Sequence, residues 1–234
     1  MQSDLRERLG SLSTPHLADA CVRIGIAVRC GPAPLRPITP TMRCAGRVRP
    51  ARHAGSVDVF LEALEGADRG DVLVIDNGGR TDQACVGDLV TLEMANAGLS
   101  GIIIWGLHRD TPELLEIGLP VFSLGALPSG PRSLDSRLPD ALERAQIGDW
   151  AVSADDVVSG DADGVIFLPA DRLAEIADAA EAIRSIERQQ VAQMRSGRSF
   201  RDQAAFAHYL AQREREPMVS FRDHLRSVRG AIEE

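Results

Sequence analysis

The clearest chemical promise in the chain lies at the end of an apolar run, GIIIWGLHRDTPELL, residues 101–115, where Arg109 and Asp110 stand side by side ahead of a helix start at Thr111 and Pro112. A strand that ends in a cation and an anion has two readings. Either the two groups close the strand end as an ion pair, or they belong to a site that needs a cation and an anionic ligand together. A second polar cluster, Gly87 and Asp88, opens the helical segment DLVTLEMANAG. The free amides of its first turn, near Leu89 and Val90, and the positive end of the helix dipole suit a carboxylate. Gly78, Gly79 and Gly87 would let a substrate approach the backbone closely. The structural alternative is that Asp88 is only an N-cap and Arg109 its ion-pair partner.

Such residues act together only if a scaffold brings both segments to one edge. The pattern DVLVID (71–76), a Gly-Gly loop, the DLVTLEMANAG helix and GIIIWG reads as a right-handed βαβ unit with two parallel, buried strands. Ligands of open parallel sheets gather beyond the carboxyl ends of the strands, where Arg109 and Gly87 both fall. PVFSLGA (120–126) reads as another buried strand, and VVSGDADGVIFLP as a hairpin turning at Gly160 to Gly164. Upstream, Thr14 and Pro15 open a helix that closes near Gly25, and GPAPLRPITP is an irregular connector. TMRCAGRVRPAR alternates as a half-exposed strand does, and SVDVFLEALEGA is amphipathic with Val59, Phe60, Ala63 and Leu64 inward. From Ala170 about two dozen residues are helical up to Gly197, and the tail reads as two helices broken at Pro217.

Composition removes whole classes of function. With 234 residues, 44% of them apolar and 26% charged, the chain is a globular protein of one or two α/β domains, with a core built from aliphatic residues because aromatics are only 4%. A net charge of −8 argues against non-specific nucleic-acid binding. All 26 basic residues are Arg, so no lysine Schiff base, pyridoxal-phosphate anchor or P-loop lysine exists here. Cys21, Cys30, Cys44 and Cys85 lack metal-ligand spacing and read as free thiols of a reducing, cytoplasmic compartment. No signal peptide or membrane span is legible. GDADG resembles the start of a calcium loop, yet position twelve from Asp161 is Arg172, so a hairpin turn is expected. Arg43, Arg47, Arg49 and Arg52 read as a solvated basic strand face, and His108 and Trp105 as structural residues.

The spacing Asp88, twenty residues, Arg109-Asp110, two residues and Glu113, with GDLV, ANAGLSGIII, RDTPEL, GLPVFSLG and DADGVIFLP in order, resembles the signature of the RraA-like family. That family includes class II 4-hydroxy-4-methyl-2-oxoglutarate/4-carboxy-4-hydroxy-2-oxoadipate aldolases. The likeness covers roughly residues 10–197. It implies an α/β/α sandwich of the swivelling type with a central, mostly parallel sheet. The expected organisation is an RraA-like α/β domain over 1–197 and a helical C-terminal extension over 198–234.

The resemblance also implies roles. Gly87, Asp88, Leu89 and Val90 would bind the carboxylate of a pyruvate-like substrate, and Arg109 its keto oxygen. Asp110 would hold a divalent ion, Mg²⁺ or Mn²⁺, with Glu113 acting through a bound water. Asp88 would position a water for proton transfer, together with Glu187 from an adjacent subunit of a homotrimer or hexamer. The expected activity is a metal-dependent carbon–carbon lyase that releases pyruvate from a small 2-oxo acid, with oxaloacetate decarboxylation through the same enolate. The rival from another class is a protein-binding regulator of a ribonuclease, without turnover. Bulky Ile104 and Trp105, and His108 where the family is commonly apolar, bear on the substrate more than on the enolate chemistry.

Overall fold

The computed structural model of the protein describes residues 3–132 and 134–228. In chain order the elements begin with α1 (Ser3–Ser11), α2 (Thr14–Arg23), β1 (Arg29–Cys30), β2 (Arg36–Pro37), β3 (Cys44–Arg52) and α3 (Asp58–Glu65). The centre follows as β4 (Val72–Asp76), β5 (Ala84–Val86), α4 (Asp88–Asn96), β6 (Gly101–Trp105), β7 (Leu107–His108), α5 (Thr111–Ile117) and β8 (Val121–Ser123). The remainder is β9 (Arg144–Ile147), β10 (Trp150–Ser153), β11 (Asp156–Asp161), β12 (Gly164–Pro169), α6 (Leu173–Arg195), α7 (Phe200–Gln203), α8 (Phe206–Arg215) and α9 (Phe221–Ser227).

The chain divides into two compact units, Met1–Thr14 with Val28–Ala174, and Pro15–Ala27 with Glu175–Glu234. The first unit is built on an eight-stranded sheet in the order β1-β12-β11-β3-β4-β6-β8-β2. Its heart, β3-β4-β6-β8, is parallel, and antiparallel strands flank it on both sides. The β4-α4-β6 crossover expected from the sequence supplies two of those central strands. Because side chains alternate along a strand, Leu73 and Ile75 pack with α3, α4 and α5 on one face. Val72 and Val74 face the other way, onto Phe122, Phe167 and the β9–β10 hairpin. Short two-residue turns and brief strands hide that hairpin and the β5–β7 pair from a periodicity reading.

Two local expectations change. The arginines of β3 are not a solvated face: Arg49 Nε meets the buried Asp71 at 2.6 Å, Arg52 pairs with Asp76 and Asp140, and Arg47 donates to the Ala154 carbonyl. The strand lies inside the sheet, so its cations are reached by neighbouring carboxylates rather than by bulk water. Thr14 opens α2 from within the helix, and its amide and hydroxyl both donate to Asp161, at 2.8 and 2.7 Å. Asp161 also accepts from Asp163 N, so the carboxylate that begins GDADG locks a hairpin turn.

The second unit is helical. Among the described residues its tail has three helices rather than two, because Ser199 forms a capping box that starts α7 ahead of α8. Phe206, Tyr209, Phe221 and His224 form an aromatic cluster between α8 and α9. Among the described residues no helix is long and apolar enough to cross a membrane.

Candidate active site

The small β5–β7 pair assembles the polar residues. Val86 pairs with His108 in parallel register, and Arg109 N donates to the Val86 carbonyl at 2.9 Å. Gly87, which follows β5, is thereby pressed against Arg109 and Asp110, which follow β7. A Cβ built on Gly87 would lie 2.2 Å from Asp110 Oδ2 and 3.1 Å from Arg109 Nε, so any larger residue there would push the Asp110 carboxylate aside.

Asp110 is the N-cap of α5 and adopts a left-handed conformation, φ 60° and ψ 41°. Asp tolerates this region better than most residues, and such outliers cluster at functional sites. Its Oδ2 accepts from Asp88 N and pairs with Arg109 Nε, both at 3.3 Å. The carboxylate therefore stands at the N-terminus of α4, where the helix dipole favours an anion. Gly87 is the N-cap of α4, and Asp88 Oδ1 accepts from Leu89 N at 2.7 Å. Thus Gly87, Asp88, Leu89, Arg109 and Asp110 come together, with Arg109 joined to Asp110 rather than to Asp88. Two amides expected to receive a substrate carboxylate, Asp88 N and Leu89 N, are engaged by these side chains. Val90 is buried, and Glu113 is exposed in the first turn of α5.

Arg109 and Asp110 keep 47% and 32% of their side-chain surface exposed, so both can meet a ligand. His108 does not join them. Buried, it bridges Ser123 Oγ at 2.7 Å and Thr111 Oγ1 at 3.0 Å, bracing β7 against β8 and α5, and burial pushes its pKa down. Trp105 fills the space beside Gly79, where an added Cβ would meet the indole at 2.9 Å.

A second cluster, invisible to motif reading, occupies the ends of β3 and β4. A cleft of about 350 Å³ is lined there by Arg52, His53, Asp76, Asn77, Arg80 and Gln83, among others. Asp76 is buried and accepts from Gly78 N and Gln146 N while pairing with Arg52. His53 stacks on Phe60 and joins Asn77 through Nδ1 and Oδ1 at 2.9 Å. The signal in the sequence was only a run of polar residues just past each strand, as at Asp76-Asn77.

Glu187 belongs to the second unit, where its Oε2 lies 2.9 Å from His16 Nε2. A groove lined by His16, Arg184, Glu187, Arg188 and Arg195 runs along α6 there.

The donor set near Asp110 fits magnesium better than zinc. Among the described residues no three His, Cys, Asp or Glu side chains cluster as a closed metal site. A hard ion that keeps most of its waters needs only one carboxylate, and the contacts of Asp110 use Oδ2 alone, leaving Oδ1 for such an ion.

Comparison with known proteins decides the family. The sequence profile of the RraA-like family, described as Aldolase/RraA, matches residues 14–167. The chain belongs to the RraA-like family. A Bacillus cereus relative provisionally named 4-hydroxy-4-methyl-2-oxoglutarate aldolase is 35% identical over 106 residues, 45% of this chain and 65% of that protein. The chain thus spans just under two thirds of that curated relative. Among solved structures, a protein from Pseudomonas syringae pv. tomato str. DC3000 aligns with a TM-score of 0.73 at 23% identity, covering 85% of this chain and 96% of the other. Streptomyces coelicolor RraAS2, an unusual member of the RNase ES inhibitor RraA family, aligns with a TM-score of 0.69 at 24% identity, covering 83% and 98%. At these identities the structural matches establish the RraA-like fold.

Proposed function

We propose that this RraA-like protein is a divalent-metal-dependent lyase that cleaves a carbon–carbon bond of a short 2-oxo acid and releases pyruvate. One observation carries the reading: Arg109 and Asp110, both accessible, are held against the glycine N-cap of α4 at the carboxyl end of the parallel sheet. A divalent ion bound through Asp110, with Glu113 holding one of its waters, would supply Lewis-acid polarisation of the keto group.

The chain's own residues account for the other roles. A substrate carboxylate would settle at the first turn of α4, displacing Asp88 Oδ1 from Leu89 N. The Arg109 guanidinium would donate to the keto oxygen and follow it as negative charge develops. Asp88, freed from that amide, would hold a water that takes the proton of the C4 hydroxyl, with Glu187 of an adjacent copy as its partner. As C4 becomes a carbonyl, the C3–C4 electron pair enters the C2–C3 bond to form the enolate. A proton returned to C3 gives pyruvate. Loss of carbon dioxide from oxaloacetate generates the same enolate and needs no hydroxyl proton transfer. Arg109 is the cation available at this strand end in a chain without lysine.

The test is pyruvate release from oxaloacetate and from 4-hydroxy-4-methyl-2-oxoglutarate, followed through lactate dehydrogenase, with Mg²⁺ and with EDTA, for wild type and Arg109→Ala. EDTA-sensitive turnover that drops about 100-fold or more in the variant supports the assignment. A folded protein inert toward both substrates would overturn it in favour of a protein-binding role.

A further inference from the structure

His53 and Asn77, which line the cleft at the ends of β3 and β4, each bury a polar atom that the fold leaves without a partner. Asn77 is 4% exposed, and its Nδ2 is buried with no hydrogen bond among the described residues; the same holds for His53 Nε2. Burial pushes the His53 pKa down, so the ring is neutral at physiological pH. Its Nδ1 bonds the Asn77 carboxamide, so the pair presents one unused donor and one unused acceptor. Exchanging the amide O and N and switching the imidazole tautomer keeps that balance, since each group then takes the other's part. A hydroxyl group, which donates and accepts at once, is the complement of such a pair.

The cations around it are already paired, and Asp135 adds a further carboxylate to the wall. Arg52 is joined to Asp76 and Asp140, and Arg80 makes a two-pronged pair with Asp82 at 3.0 and 2.9 Å. A second carboxylate entering the cleft would meet cations whose charge is already balanced by Asp76, Asp140 and Asp82. An uncharged hydroxylated group needs no free cation.

The cleft also adjoins the site at Arg109. Gln83 on its wall and Gly87 beside Asp110 flank the three-residue strand β5, so about 13 Å of extended chain separates them at most. The loop after β8 closes part of that gap. Gly130 lies against the Arg109 guanidinium, Ser129 O accepts from Ala84 N, and Arg132 N donates to the Gln83 side chain. On the other side, Asn77 Nδ2 packs on Gly106, where an added Cβ would come within 2.9 Å.

We propose that this cleft is the specificity pocket of the Arg109 site, in which His53 and Asn77 hydrogen-bond a hydroxyl on the uncharged tail of a 4-hydroxy-2-oxo acid. The inference rests on the lyase reading for its chemistry, while the binding can be observed without it. The probe is 2-keto-3-deoxygluconate, whose tail is hydroxylated and uncharged, set against 4-hydroxy-4-methyl-2-oxoglutarate, whose tail ends in a carboxylate.

Two measurements separate the claims. In the first, side-chain amide NMR signals of the wild-type protein are recorded in EDTA while each compound is added. Saturable displacement of the Asn77 carboxamide signal by 2-keto-3-deoxygluconate, absent in Asn77→Ala, is expected. In the second, kcat/KM for pyruvate release is compared with Mg²⁺ present. Wild type should favour the hydroxylated tail at least tenfold, and Asn77→Ala or His53→Phe, which keeps the stack on Phe60, should erase most of that preference. Displacement without turnover would sink the lyase reading and leave the pocket standing. Turnover with no displacement, or with the carboxylate tail preferred, would overturn the pocket and show that the pair holds only a buried water.

Discussion

The chain leaves β4 and β6 at the same edge of the parallel heart of one sheet, yet the segments that follow treat their charges in opposite ways. At the end of β4, Asp76 is buried and its two oxygens accept backbone amides from Gly78 and Gln146 as well as meeting Arg52. Beyond β6, just after β7, the Asp110 carboxylate uses one oxygen for two long contacts, and Arg109 stays half exposed. A saturated carboxylate holds the fold in place. One with unused valence can take a ligand, and the difference separates scaffold from site more sharply than residue type does.

Substitutions should break the comparison at one end and sharpen it at the other. Asp76→Ala is expected to have the largest effect on stability, about 3 kcal/mol or more by urea denaturation, because it strands buried amides and a partly buried arginine. Asp110→Asn should leave the urea midpoint close to wild type and reduce Mg²⁺-dependent pyruvate release about 100-fold. Equal stability losses for the two variants would erase the distinction. Gly87→Ala comes next. Its methyl would displace Asp110 Oδ2, so turnover should fall about tenfold with a stability cost of about 1–3 kcal/mol.

The smaller effects concern pH and thiols. His53 has its folded pKa lowered, chiefly by burial, so the unfolded chain binds more protons than the folded one below about pH 6.5. Its contribution to stability is complete above that value and is lost as pH falls from there toward the folded pKa. Melting temperatures measured from pH 8 to pH 5.5 should decline, and His53→Phe should flatten the decline. Burial pushes Cys44 and Cys85 up to about 12 and hides Cys21, whereas Cys30, though partial burial raises its thiol too, is exposed. A thiol reagent should therefore modify Cys30 first in the native protein, favoured by access and not by acidity, and the other three only on unfolding.

Much of this arrangement can be read without coordinates, and the exceptions have physical causes. The β4-α4-β6 crossover announces itself because both strands are buried on two faces and the helix between them begins at Gly87 and Asp88. That topology brings Gly87 and Arg109-Asp110 to one edge of the sheet. The β5–β7 pair does not announce itself, since strands of three and two residues have no measurable period, although this pair closes the distance between the two segments. The His53–Asn77 cleft was equally silent. Its two members lie 24 residues apart on different strand ends, and a lone His or Asn beside a strand carries no spacing signal. Glu187 shows the opposite case: the family resemblance gives it a role, while within its own unit it simply faces His16.

The left-handed backbone at Asp110 has a consequence for how this chain would respond to selection. An aspartate at φ 60° costs about 1–2 kcal/mol relative to glycine, the residue indifferent to that conformation. Asp110→Gly would remove the carboxylate and relax the backbone in one step. A library screened for heat resistance alone should therefore enrich glycine at position 110, and a library screened for turnover should purge it. The opposing pressures would single out this residue as one kept for what it binds and not for how it folds.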